Sequence, residues 1–240
     1  MTLYDGLLLL GGVVVLYLYD SALLLFHNEI VLVGQRHGYG VSAGSGLELA
    51  GRHVYLPSPL FPHQPLFRMS WPQNGVPARH APLIRVRRVR VALAAASGWM
   101  LLLLVLFAVG LPYVLLVTRD ARLLLAWIAA VYTVIGILLM HVYRHRKTLN
   151  LSRRAVVAIA MDALLCAPFA LNMVRKIGLR QRLDVDLRTA ANSMLSANAN
   201  RELLAILRQR IQTSLGFVEP DEVASHALAT YLADFEGLCK

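Results

Sequence analysis

The 240-residue chain is 57% hydrophobic with a mean hydropathy of +0.55, more apolar than the roughly 45–50% of a typical globular domain. It carries 24 Lys and Arg against 14 Asp and Glu, a formal charge of +10 at pH 7. The basic residues bank against apolar runs with no aromatic-interleaved basic motif, which sets aside a nucleic-acid-binding module and points to an integral membrane chain.

Three runs with neither Lys nor Arg, at 6–26, 91–117 and 123–142, each reach the roughly 20 apolar residues needed to cross a bilayer core as a helix. A lipid-buried backbone must satisfy its own hydrogen bonds, so helices are expected rather than strands. Residues 1–26 read as an N-terminal tail and first transmembrane helix. Asp5 stands where a cleaved leader would be basic, and this helix is expected to stay in the mature chain. Residues 27–90 follow as a glycine- and proline-rich loop, with short β-prone runs at 30–33, 47–49 and 53–56. From Pro57, seven prolines through Pro82 forbid a continuous helix. Phe61, Phe67 and Trp71 are expected to hold that stretch as an extended strap on the membrane surface.

Residues 91–143 read as a transmembrane helical hairpin joined by the short 118–122 link. Residues 144–176 form a basic linker and a fourth apolar run, 155–174, which contains Asp162, Pro168 and Asn172. Arg153-Arg154 and Arg175-Lys176 bracket that run. A true crossing would leave one basic cluster outside, so an interfacial or re-entrant helix is favoured over a fourth span. The tail, 177–240, is expected to be soluble and helical. Leu203, Leu204, Leu207, Ile211 and Leu215 share one face, with Asn198 or Asn200 placed to cap the helix. A last helix from Pro220 carries Ala224, Ala227, Leu228, Tyr231 and Phe235 as its stripe.

Basic residues concentrate on the cytosolic side of membranes. The resulting orientation puts the N-terminus outside, 27–90 inside, 118–122 outside and the C-terminal part inside. Only Arg119 and Arg122 of the 24 basic residues then lie outside. The arginine-rich balance suggests a bacterial inner membrane.

Few residues suggest chemistry. Asp20 lies inside the first run with Tyr17 on the same face, and Asp162 lies inside the fourth; an intramembrane acid marks either a functional group or a bond that locks the bundle. For Asp20 the locking role is preferred. His141 and His145 stand at i, i+4 at the inner end of the third run, where His27 and Glu29 also emerge. Together they make a candidate zinc-type ligand set. No nucleotide-binding or hydrolase motif is present, the two cysteines are far apart, and no cofactor is expected. The preferred reading is a non-catalytic adaptor or assembly component, with a transporter or channel component, or a membrane enzyme using the His/Glu cluster, as alternatives. Its partners are expected to be the lipid bilayer and either another protein or a second copy. Leu204, Leu207 and Ile211, with Ala227, Tyr231 and Phe235, are the candidate partner surface.

Overall fold

The computed structural model describes residues 3–35, 38–45, 47–70, 83–181, 194–215 and 223–238. Trp71, Pro72, Pro77 and Pro82 of the expected strap lie outside them, as do Gly216, 220–222 and Cys239. The chain divides into two units, each described by itself.

The first unit comprises Met1–Ala22, Leu56–Pro65 and Arg88–Gln181. Three helical segments are long and apolar enough to cross a membrane: Leu3–Ser21, Ser97–Thr118 and Ala121–Arg144. Helix α1 (Leu3–Ser21) rises about 28 Å at 1.5 Å per residue, close to the roughly 30 Å hydrocarbon core. Most of its side chains point outward, Leu8, Val15 and Tyr19 among them, while Gly6, Tyr17 and Ser21 are buried. A Cβ on Gly6 would sit 3.2 Å from the Leu115 carbonyl oxygen, so the start of α1 lies beside the end of the second apolar segment.

Helix α2 (Leu83–Ala94) precedes that segment, and a two-residue turn separates it from α3 (Ser97–Val105). The expected 91–117 span is therefore corrected: 91–94 belong to α2, and the long apolar segment starts at Ser97. The break contains neither proline nor charge, so hydropathy cannot locate it. After α3 the helix loosens into π turns at Leu106–Gly110 and Tyr113–Thr118. Pro112 lacks an N–H and its ring crowds the preceding turn, which the wider π geometry relieves. Trp127 Nε1 donates to the Leu106 carbonyl at 2.8 Å, and a Cβ on Gly110 would meet the same indole at 3.2 Å. Arg119, in the left-handed region, closes the helix; Asp120 Oδ1 accepts from Arg122 N at 2.8 Å and caps α4 (Ala121–Arg144). Val131, Val134, Ile135, Leu138 and Val142 form the buried stripe of α4.

The fourth apolar run is not one helix. Ser152 Oγ caps α5 (Arg153–Leu165), whose 13 residues rise only about 20 Å. Cys166 is extended, and the chain continues as a 3₁₀ segment (Ala167–Asn172) and a short α6 (Met173–Leu179). Pro168 explains the break, since in a continued α-helix it would have no N–H for the Leu164 carbonyl and its ring would crowd that oxygen.

The second unit comprises Leu23–Tyr55, Leu66–Arg87 and Arg182–Lys240. Its antiparallel sheets are β3-β2-β6 and β1-β5-β4. The strands are β1 (Leu23–Leu25), β2 (Glu29–Gln35), β3 (Gly38–Ser42), β4 (Glu48–Leu49), β5 (Arg52–Tyr55) and β6 (Leu66–Ser70). Two sequence expectations change here. Residues 23–25, counted in the first apolar run, are a strand, so α1 ends at Ser21. Phe67 does not anchor a surface strap: in edge strand β6 it pairs with Leu32, is fully buried and meets Tyr39 edge-on. Pro65 directly before β6 is compatible with an edge strand.

Helix α7 (Ala197–Leu215) packs on β3 and on α8 (Val223–Leu238). Ser196 Oγ, rather than Asn198 or Asn200, accepts from Ala199 N and caps the first turn. Leu203, Leu207, Ile211 and Phe235 are fully buried, Leu228 and Tyr231 nearly so. Arg208 joins Glu236 across the two helices at 2.6 Å.

Candidate functional site

In the first unit, α1 and the 155–179 region build a polar cluster in apolar surroundings. Tyr17, Asp20 and Ser21 stand at i, i+3 and i+4 on α1, and Asn172, Arg175 and Lys176 repeat that spacing opposite them. Lys176 Nζ lies 2.7 Å from Asp20 Oδ1 and 3.6 Å from Asp162 Oδ2. Asn172 Nδ2 donates to Asp20 Oδ2 at 3.0 Å and to the Tyr17 carbonyl at 3.3 Å. Arg175, 3% exposed, donates to Asn172 Oδ1 (3.0 Å), Tyr17 Oη (3.4 Å) and the carbonyls of Ser58 (2.6 Å) and Phe61 (3.1 Å). Tyr17 Oη in turn donates to the Pro59 carbonyl at 2.8 Å.

All three sequence candidates, Asp20, Tyr17 and Asp162, thus belong to one cluster. Two acids and two bases balance in it, and the partner of Asp20 is a lysine rather than an arginine. In the sequence, Arg175 and Lys176 stand as flanking charge and Asn172 as a polar interruption of the run. Their i, i+3, i+4 spacing at the end of an apolar run was the available signal. His63, in the 56–65 segment, has its imidazole pKa lowered by burial and then by Arg175.

The second unit has its own buried cation. Arg210, 6% exposed, donates to the carbonyls of Glu29 (2.7 Å), His27 (3.0 Å), Phe26 (3.4 Å) and Ala43. Ala43 is presented by a loop in which only glycine fits at the next position. Gly44 has φ +94°, and a Cβ there would lie 3.2 Å from the Val54 carbonyl oxygen. Burial lowers the Arg210 pKa, partly offset by Glu48. Arg210 was legible as a misfit: with Leu203, Leu207 and Ile211 it sits at i+7 on the buried stripe of α7.

The candidate metal set is divided between the two units, His27 and Glu29 in the second and His141 and His145 in the first. His27 Nε2 contacts the Arg210 carbonyl at 2.9 Å, and His27 Nδ1 meets His53 Nε2 at 3.3 Å. Glu29 accepts from Phe26 N at 2.9 Å and pairs with Arg68 at 3.5 Å. His141, in the other unit, contacts the Ala92 carbonyl at 2.9 Å and stacks 4.5 Å from His145. Among the described residues, no three His, Cys, Asp or Glu side chains gather to hold a metal ion. The rings and carboxylate instead satisfy backbone groups that sequence spacing cannot reveal. His53 also faces Glu48 at 3.5 Å; its pKa is lowered by burial, then by Arg210, against the raising effect of Glu48.

The candidate partner surface on the tail is corrected as well. Leu207, Ile211, Tyr231 and Phe235 are core residues, while Leu204 and Ala227 are half-buried. The two stripes close on each other and on the sheet, two of the covers open to them in the sequence beside the bilayer surface or another protein. Exposed apolar side chains occur instead on β1-β5-β4. The pairs Leu23–Tyr55, Leu25–His53 and Glu48–His53 put those residues on one face. Leu24, Val54, Leu49 and Arg52 take the other. Leu47 and Leu49 are 72% and 60% exposed there, Leu24 and Phe26 also exposed, and the Arg52 guanidinium lies 4.3 Å over the Phe26 ring.

Compared with family models, curated proteins and solved structures, the chain matches none.

Proposed function

We propose that this chain is a non-catalytic membrane adaptor or assembly component, which anchors a small cytosolic unit and offers it to a partner protein. The observation that carries the reading is the apolar face of β1-β5-β4, exposed among the described residues, with Leu24 and Leu49 beside Arg52 and exposed Phe26 and Leu47 at the strand ends. An apolar cluster rimmed by a cation on a small folded unit is characteristic of protein association surfaces. The pairing of Asp20 with Lys176 and Asn172 favours this reading over transport, because the intramembrane carboxylate already holds partners in the chain.

The charge distribution supports an orientation with the N-terminus outside, 27–90 and the C-terminal part inside, and 118–122 outside, in a bacterial inner membrane. Gly6 beside Leu115 at one end, and His141 bonded to the Ala92 carbonyl at the other, suit such alternating crossings. Helix α5, too short to cross alone, and α6 make a re-entrant or interfacial segment on the inner side.

A photo-crosslinking residue placed at Leu47 or Leu49 in the membrane-embedded chain tests the adaptor reading, with exposed Arg201 as the control position. Discrete protein adducts are expected from the first two and not from the control. Leu49→Asp should abolish them without lowering the membrane level of the protein. An adduct with a second copy would identify the partner as the chain itself; lipid adducts alone would overturn the reading.

A further inference from the structure

A groove of about 490 Å³ runs along the outer face of α4 in the first unit. Thr133, Gly136, Ile137, Met140, His141 and Arg144 line it at i, i+3, i+4, i+7, i+8 and i+11, one continuous helical face. Trp99 from the first turn of α3 forms the other wall. Thr133 to Arg144 spans about 16 Å, close to half of the roughly 30 Å hydrocarbon core, so the groove has the length of one leaflet. Its deep end is apolar, because the Thr133 hydroxyl donates to the Ala129 carbonyl at 2.7 Å. At its mouth, His141 is already bonded to Ala92, while Arg144 is exposed and has no ion-pair partner among the described residues.

Gly136 makes the floor of this groove. A Cβ there would meet nothing within 4 Å, in contrast to Gly110, where Trp127 fills the space. A mid-helix glycine is about 1 kcal/mol less favourable than alanine, and no neighbour among the described residues requires it here. The space it leaves is open to whatever lies alongside α4.

From this geometry we infer that the groove holds one anionic phospholipid, with an acyl chain along Gly136 and Ile137 and the phosphate on Arg144. The shape is amphiphilic in the same sense as the ligand: an apolar slot of leaflet length ending in a guanidinium, which pairs well with phosphate. Arg146 and Lys147 follow closely and add positive field at the headgroup level. An indole such as Trp99 suits the same interfacial depth. A second copy packed symmetrically in parallel on this face would bring two Arg144 side chains together, which disfavours it as the occupant. The inference rests on the membrane reading of α3 and α4 but not on the adaptor role.

The test uses the full chain in nanodiscs of equal parts phosphatidylglycerol and phosphatidylcholine, released gently for native mass spectrometry. One phosphatidylglycerol should be retained in preference to phosphatidylcholine. Gly136→Leu, which fills the slot, and Arg144→Gln, which removes the cation, should each lower that retention about tenfold. Arg144→Lys should restore part of it, and soluble glycerol phosphate should not compete. Arg144 is exposed, so its substitution leaves the fold in place and the Gln/Lys comparison stands even if Gly136→Leu folds poorly. Equal retention of the two lipids, or undiminished retention in the Gln variant, would overturn the site. So would conversion of a dimer to a monomer by Gly136→Leu with lipid retention unchanged.

Discussion

The two units each bury an arginine, and they satisfy it differently. Among the described residues, Arg210 in the sheet unit binds four backbone carbonyls of the segments around β2. Arg175 in the apolar unit bonds, among the described residues, to two carbonyls and to the side chains of Asn172 and Tyr17. Beside Arg175, the ammonium of Lys176 is matched by Asp20 at 2.7 Å. The difference follows from what each environment supplies. A loop-rich unit has spare carbonyls to give a guanidinium fork, whereas a helical bundle has used its own, so a charge in it needs side chains of opposite charge or extra loop backbone. The 56–65 segment provides that loop backbone in the first unit.

The largest effect is expected from removing the carbonyl-bound cation. Arg210→Leu removes charge-assisted bonds to several part-buried carbonyls, each worth about 1.5–3 kcal/mol, and should destabilise the second unit by about 3 kcal/mol. Arg210→Lys should recover only part, because three donors on one nitrogen cannot reproduce the fork. Thermal or denaturant unfolding followed by tryptophan-independent circular dichroism reads both, and a loss below about 1 kcal/mol for the leucine variant would show that Arg210 is dispensable to the fold.

A smaller effect separates the two acids of the first unit. Asp162 is half-exposed and 3.6 Å from Lys176, so Asp162→Asn should cost under about 1 kcal/mol. If it proves as damaging as the loss of Asp20, the division between a buried pair and a peripheral one fails.

The smallest effect is a pH dependence. His63 and His53 both have folded pKa values below the usual 6.5. The unfolded chain therefore binds more protons as the solution acidifies. The stability these neutral imidazoles contribute is complete above about pH 6.5 and is lost as pH falls through that value towards their folded pKa. His63→Gln and His53→Gln should each flatten the fall in melting temperature between about pH 7.5 and 5.5. An unchanged acid limb in both would contradict the burial argument.

Much of this was legible in the chain itself. Runs without Lys or Arg located the three long apolar helices to within several residues, and glycine-bounded β-prone runs located β2, β4 and β5. Asp20, Tyr17 and Asp162 stood out because charge and phenol are conspicuous among leucines. What stayed hidden depended on tertiary partners. Nothing local marks 95–96 as a break or Leu23–Leu25 as a strand, since both are apolar in apolar company. Phe67 looks the same as Phe61 until Leu32 and Tyr39 are placed around it. Which surface covers the tail stripes could not be chosen locally, because β3, one of several candidates, comes from about 160 residues earlier in the chain.

The central claim is that Asp20 locks the apolar unit through Lys176 and carries no ion. A double-mutant cycle on unfolding in detergent, with Asp20→Leu, Lys176→Leu and the pair together, tests it most directly. Lys176→Leu leaves the Asp20 carboxylate with the Asn172 amide and no cation, and should cost about 3–5 kcal/mol; Asp20→Leu leaves Lys176 to the more distant Asp162 and should cost somewhat less. The double variant should regain most of that loss, giving a coupling of about 1–3 kcal/mol, and should keep its cellular function. Additive losses would contradict the lock, and a stable double variant without function would assign Asp20 to ion or proton handling.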